Sequence, residues 1–128
     1  MIMAEKLRRM KFGWHGDGGH GERMIEKILA GSKMATSSMA YETEDADLKV
    51  GEKVELVDKK GRVFGVIMIL DVQIRAFKTF DDPLAARCGH TLDELRELMK
   101  FANSRMPGPD EEMRVTFFKL VSVPRARP

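Results

Sequence analysis

The chain has 128 residues, 43% of them hydrophobic and 33% charged. That balance describes an ordinary globular protein and excludes disordered and membrane-embedded classes. A net charge of +2 and a pI near 8.8 are too mild to announce nucleic acid alone, and the single cysteine, Cys88, excludes an intramolecular disulfide or a cysteine-built zinc site. The length predicts one domain over residues 1–128, with basic tails at 1–11 (Lys6, Arg8, Arg9, Lys11) and at 124–128 (Arg125, Arg127). No apolar run approaches the roughly 18 residues that cross a bilayer. The start MIMAEKLRRMKF carries charges where a secretory signal needs an apolar stretch, so the expected location is the cytoplasm, with no membrane partner.

Residues 13–21, GWHGDGGHG, are the first unusual stretch. Gly16, Gly18 and Gly21 fit G-x-G-x-x-G, but the preceding EKLRRMKF is basic and does not read as the buried strand a dinucleotide fingerprint requires. His15 and His20 are not at helical spacing and would need His90 or a carboxylate as a third ligand, so no metal is expected. What remains is a glycine-rich entry into a helix N-terminus, where free backbone N–H groups favour an anion or a polar ligand edge. Trp14, the only tryptophan, either pins this loop by burying its ring or offers a base a stacking surface.

The next stretch, ERMIEKILA (22–30), places Met24, Ile25, Ile28 and Leu29 on one helical face, with Glu22 at the positive end of the dipole and Gly31 as the stop. SKMATSSMAY follows as a short β-compatible segment, then the acidic loop ETEDAD at 42–47. VGEKVELVDKKGRVFGVIMILDVQIRAF reads as a hairpin turning at DKKG, and VFGVIMILDV is so continuously apolar that it predicts a central strand covered on both faces. Asp82-Pro83 starts a short helix through LAARC. Thr91 and Glu94 form a capping box ahead of Leu92, Leu95, Leu98, Met99 and Ala102 at helical spacing. NSRMPGPD (103–110) is a turn, and MRVTFFKLVSV supplies the last strand.

The run ILAGSKMATSS (28–38) carries a family signal. A helix ending in G-x-K, a threonine three residues after the lysine and then a strand match Gly31, Lys33 and Thr36. Here the sequence resembles the ASCH family, relatives of the PUA-like RNA-binding domains. Phe12-Gly13 resembles the FG opening one branch, and LKVGEKVELVD, TLDEL and RVTFFKLV continue the resemblance in the family's order over nearly the whole chain. Ser32-Lys33-Met34 departs from relatives that place a second basic residue and a threonine around the lysine.

The resemblance and the strand pattern together lead us to expect an α+β fold: a small, mostly antiparallel PUA-like β-barrel with helices packed around its openings. The resemblance also implies a ligand cleft beside the G-x-K-x-x-T segment, with RNA or a modified nucleoside as partner and no cofactor. Lys33 suits a phosphate or base carbonyl, the hydroxyls of Thr36, Ser37 and Ser38 both donate and accept, and Tyr41 adds a stacking face. Trp14 and Arg87 complete the expected ligand-binding set. Against these roles, Lys33 also suits a solvated helix-end cation and T-S-S a plain edge strand.

An alternative function follows from small bacterial members that are N4-acetylcytidine amidohydrolases, with catalytic roles for Lys33 and Thr36; a ribonuclease is the variant of that reading. The family's third residue, a glutamate, aligns at or beside Cys88 in AARCGH, which holds no acid. Glu42, Asp81 or Asp82 would have to replace it. Cys88 itself, flanked by Arg87 and His90, is read as a small buried hydrophobe rather than an activated thiol.

Overall fold

The computed structural model describes residues 7–124, so Lys6, Arg125 and Arg127 of the expected basic tails lie outside the described residues. The described residues form five strands and three α-helices. In chain order these are β1 (Arg8–Phe12), α1 (His20–Leu29), β2 (Ala35–Met39), β3 (Lys53–Asp58) and β4 (Val63–Ala76). A 3-10 turn at Phe77–Thr79, α2 (Asp82–Arg87), α3 (Leu92–Asn103) and β5 (Glu112–Ser122) follow.

The strands make one sheet in the order β1-β3-β4-β5-β2. β3, β4, β5 and β2 pair antiparallel, as the hairpin and the last strand predict, whereas β1 lies parallel to β3. Expectation and structure part here: the sheet is mixed and open, not a closed, mostly antiparallel barrel. β1 and β2 stand at opposite edges without pairing, and a five-strand ribbon without that last pairing has no closure. The basic segment read as unfit for a strand is β1 itself. Met10 and Phe12 point inward at 4% exposure each while Arg9 and Lys11 face out, the alternation of an edge strand with one wet face.

β4 occupies the centre, as its apolar run demands, but it is not covered on both faces. Ile67 and Ile69 are fully buried, whereas Leu70 and Ile74 remain 44% and 51% exposed. Two register shifts against β5 re-aim its side chains, and three short helices do not cover both faces of a 14-residue strand. At the hairpin turn, Asp58 accepts from the Lys60 and Arg62 N–H groups at 2.9 Å each, and Gly61 takes the positive φ of 80° that closes it.

β5 serves two hydrophobic clusters. Phe118 joins Ile67, Ile69, Val54, Leu56, Met10 and Phe12 under Ile25 and Ile28 of α1. Met113 and Val115, of opposite parity, pack with Ala35, Met39, Leu84, Cys88, Leu95 and Met99 under α2 and α3. The local signals behave as read. Thr91 and Glu94 close the capping box of α3, and the Asp81 carboxylate accepts the Leu84 N–H at 3.0 Å ahead of the proline in α2. Gly31, at φ 81°, ends α1, and the Ser32 N–H returns to the Lys27 carbonyl at 2.9 Å.

Candidate functional site

The loop between β1 and α1 is built around one carboxylate. Asp17 accepts backbone N–H groups from Trp14 at 3.1 Å, Gly19 at 3.1 Å and Gly21 at 2.9 Å, and Lys59 from the hairpin turn donates to it at 3.0 Å. Burial opposes this charge, but Lys59 and the three N–H groups outweigh it and hold the carboxyl well below the usual range. The helix N-terminus therefore does attract an anion, and the chain supplies it internally. Gly13 and Gly21 are required by contact: a Cβ on Gly21 would stand 2.4 Å from the Gly13 Cα and 2.6 Å from the Phe12 carbonyl oxygen. The strand end and helix start cross with no room for a side chain, and α1 begins at His20, two residues before the stretch 22–30 read as helical.

Beyond this loop lies a cleft of about 510 Å³ lined by Trp14, Lys33, Thr36, Ser37 and Ser38 among others. Five of the seven residues singled out from sequence thus share one concavity. Tyr41 and Arg87 do not line it. Tyr41 is 63% exposed, and Arg87 lays its guanidinium 5.6 Å from the centre of the Phe117 ring on the outer surface. Thr36, Ser37 and Ser38 are half-buried on β2, with the Ser37 hydroxyl 3.3 Å from the Met99 sulfur of α3.

Lys33 is buried at 3% exposure, where the bend after α1 turns its side chain into the molecule. Its Nζ donates to the Ala35 carbonyl at 2.8 Å and the Cys88 carbonyl at 3.1 Å. Burial pushes its pKa down to about 8, with Lys27 adding to that push and Cys88 opposing it. Around Cys88, where the resemblance places a glutamate, the lysine thus meets a backbone oxygen. The thiol is fully buried and burial pushes its pKa up, which makes it packing material and not a nucleophile. Of the substitute acids, Glu42 lines the cleft, whereas Asp81 is spent capping α2.

Among the lining residues that the sequence does not mark as ligand contacts, four stand out. Arg114, at 8% exposure on β5, ties the Ala40 and Glu42 carbonyls to the sheet at 2.8 and 3.0 Å. Thr116 sits opposite Thr36 in the β2–β5 register. His20 packs edge-on to Trp14 with ring centres 5.6 Å apart, and His90 meets the Lys27 ammonium at 3.3 Å through Nδ1. Burial first, then Lys33 and Lys27, lowers His90 to about 4; burial and Arg23 lower His20. Both rings are neutral at physiological pH. His15 is exposed, and among the described residues no three His, Cys, Asp or Glu side chains gather as a metal set. No helix of the described residues is long and apolar enough to cross a membrane.

An open mixed sheet with three helices, carrying a cleft walled by one aromatic ring, one buried lysine and a row of hydroxyls, defines a small α+β domain with a polar cleft. The chain belongs to the ASCH domain family, whose model matches residues 9–122. The crystal structure of an ASCH domain from Lactobacillus crispatus superposes with a TM-score of 0.73 at 18% identity, covering 90% of this chain and 80% of that one. A second crystal structure, from Enterococcus faecalis and assigned to the DUF984 family, gives a TM-score of 0.72 at 19% identity over 98% of this chain and 88% of that one. At such identities the likeness speaks for the fold alone. Among curated proteins, none matches the chain.

Proposed function

We propose that this ASCH domain binds RNA or a nucleotide in the cleft beside Gly31, Lys33 and Thr36. The observation that carries this reading is the convergence of Trp14, Lys33, Thr36, Ser37 and Ser38 on one cavity of about 510 Å³, a size typical of pockets for small organic ligands. A nucleoside is a flat apolar ring edged with donors and acceptors, and this wall offers it a ring face, a cation and hydroxyls. A lone buried thiol fits a reducing compartment, and we place the protein in the cytoplasm. Titration with single-stranded RNA tests the reading. Binding should weaken with salt at a shallow slope, as expected when few phosphates are neutralised. Trp14→Ala should remove about 1–3 kcal/mol if the ring stacks on a base, and Lys33→Ala should weaken binding as well. Indifference to both substitutions in a folded protein would move the site elsewhere.

The amidohydrolase alternative draws on two observations: Lys33 is lowered to about 8, and Glu42 lines the same cleft. In that reaction a neutral Lys33 takes the Thr36 hydroxyl proton while the oxygen attacks the acetyl carbonyl. The cytidine amine then leaves with a proton, and water hydrolyses the acyl-threonine. The two carbonyls on Nζ favour the ammonium instead, so binding without turnover is the preferred reading. Incubation with N4-acetylcytidine decides: deacetylation abolished by both Thr36→Ala and Lys33→Ala would make the protein an enzyme.

A further inference from the structure

A second concavity of about 520 Å³ opens between α1 and α3. It adjoins the first, and His20, Met24, His90 and Leu98 line both. At their junction two aromatic rings stand side by side: Trp14 lines the first cleft, Phe101 lines the second, and their centres are 5.6 Å apart at 41°. Phe101 is 54% exposed on α3, a large apolar surface left to solvent where its neighbours at 95 and 99 are buried. On the facing wall Arg23 and Lys27 are one helical turn apart on α1.

We propose that this groove is a second nucleotide subsite, so that the preferred ligand is a single strand of at least two nucleotides and not a free nucleoside. The proposal rests on the RNA-binding reading above and extends it. Two rings at the boundary of two adjoining clefts suit two successive bases, one on Trp14 and the next on Phe101. The phosphodiester between them passes the α1 wall, where Arg23 and Lys27 offer N–H donors. Arg23 uses one guanidinium nitrogen on the Gly18 carbonyl at 3.1 Å, and Lys27 holds the Gly89 carbonyl at 2.6 Å, so both cations are anchored by backbone. Glu94 and Glu97 line the α3 wall and balance these charges. Glu94 is turned back on its own helix, accepting the Thr91 N–H at 2.8 Å. With the Lys27 ammonium at Nδ1, the proton of a neutral His90 ring sits on Nε2, leaving a donor at the junction for a base or ribose oxygen.

The test compares each of the four nucleosides with its homodinucleotide by NMR or calorimetric titration, on the wild type and on Phe101→Ala. At least one dinucleotide should bind ten-fold or more tighter than its nucleoside. Phe101→Ala should reduce that affinity by about 5- to 150-fold, the equivalent of one lost base stack, and lower nucleoside affinity by a smaller factor, since its ring also touches Trp14. Because Phe101 is exposed, the variant should keep the wild-type melting temperature. Equal affinity for nucleoside and dinucleotide, or an equal loss of both in Phe101→Ala, would overturn the second subsite while leaving the first cleft standing. Failure of every nucleoside and dinucleotide to bind would overturn both.

Discussion

The loop from Gly13 to Gly21 and the segment from Lys33 to Ser38 border the same cleft, yet they differ in what they leave over. In the loop the donors turn inward on Asp17, which accepts three N–H groups from the loop and helix start and the Lys59 ammonium from the hairpin turn. On β2 the hydroxyls of Thr36 and Ser38 stand half-exposed on the cleft wall. The glycine pattern that catches the eye is the finished part of the structure, and the plainer segment has binding capacity to spare. A glycine-rich turn ahead of a helix marks an anion cradle, but only the fold shows whether the chain has already filled it.

Gly21→Ala should break the comparison most visibly. The new Cβ meets backbone at 2.4 and 2.6 Å, with no flexible side chain to give way. We expect a loss of about 3 kcal/mol or more, the upper end for overpacking, read by urea denaturation. Gly16→Ala is the control: its φ is 86° but nothing lies within 4 Å, so only the left-handed backbone penalty of about 1–2 kcal/mol applies. Equal losses at both positions would mean that the crossing of strand and helix is not tight.

Next in size is the pH response of Lys33, which belongs to the other region. Its pKa falls from an ordinary 10.5 to about 8 in the fold, so between those values the unfolded chain holds more protons than the folded one. Stability from this group therefore rises as pH climbs from 8 towards 10.5, by on the order of 3 kcal/mol in all. Cys88, raised by burial, works in the opposite direction above its ordinary 9. The clean measurement is thus the difference between wild type and Lys33→Met, which should move in favour of wild type over that window. Ligand affinity should fall as the ammonium is lost through pH 8, whereas hydrolysis by a neutral lysine should rise there. The direction of the pH profile consequently separates the two functional readings.

Legibility in the sequence follows the range of the interactions. The capping box of Thr91 and Glu94 and the hairpin turn at Asp58 to Gly61 are local, and both form where the residues sit. The family resemblance carried by G-x-K-x-x-T, and not the spacing alone, implied that Lys33 and Thr36 share one cleft, and both line it. β1 was hidden because its partner β3 is 46 residues away and its charges masked the alternation of Met10 and Phe12. His20, His90 and Arg114 come to the cleft from α1, the loop after α2, and β5. No spacing rule links them, although an arginine inside the apolar RVTFFKLV was a signal in plain view. Tyr41 was chosen as a stacking face and Arg87 as a cation near the expected site, but Tyr41 lies past the end of β2 and Arg87 at the end of α2, and neither lines the cleft.

A smaller effect sharpens the contrast between the regions. Thr36→Val removes a hydroxyl from a half-exposed strand position while keeping its shape and β preference. Stability should change by less than about 0.5 kcal/mol, and ligand affinity should drop by about 1 kcal/mol, one hydrogen bond. Asp17→Asn should do the reverse, melting at lower temperature because the Lys59 pairing and the N–H cradle lose their anion, with affinity per folded molecule retained. Calorimetry of both variants checks the pair. A Thr36→Val protein that unfolds early but binds normally would exchange the roles assigned to the two segments.

The smallest expected effect is none at all, and it concerns the histidines of the loop. A structural metal stabilises a fold by its binding free energy, so its removal lowers the melting temperature. His20 is buried edge-on against Trp14, His15 is exposed, and Asp17, the acid between them, is committed to three N–H groups and Lys59. Freeing Asp17 for a cation would release the donors it holds and undo the crossing of β1 and α1. Chelator should therefore leave the melting curve where it was, and added zinc should not raise it. A fall in melting temperature with chelator that disappears in His20→Gln would show that the loop from Gly13 to Gly21 keeps binding capacity after all, and the division between a finished loop and an open β2 wall would have to be given up.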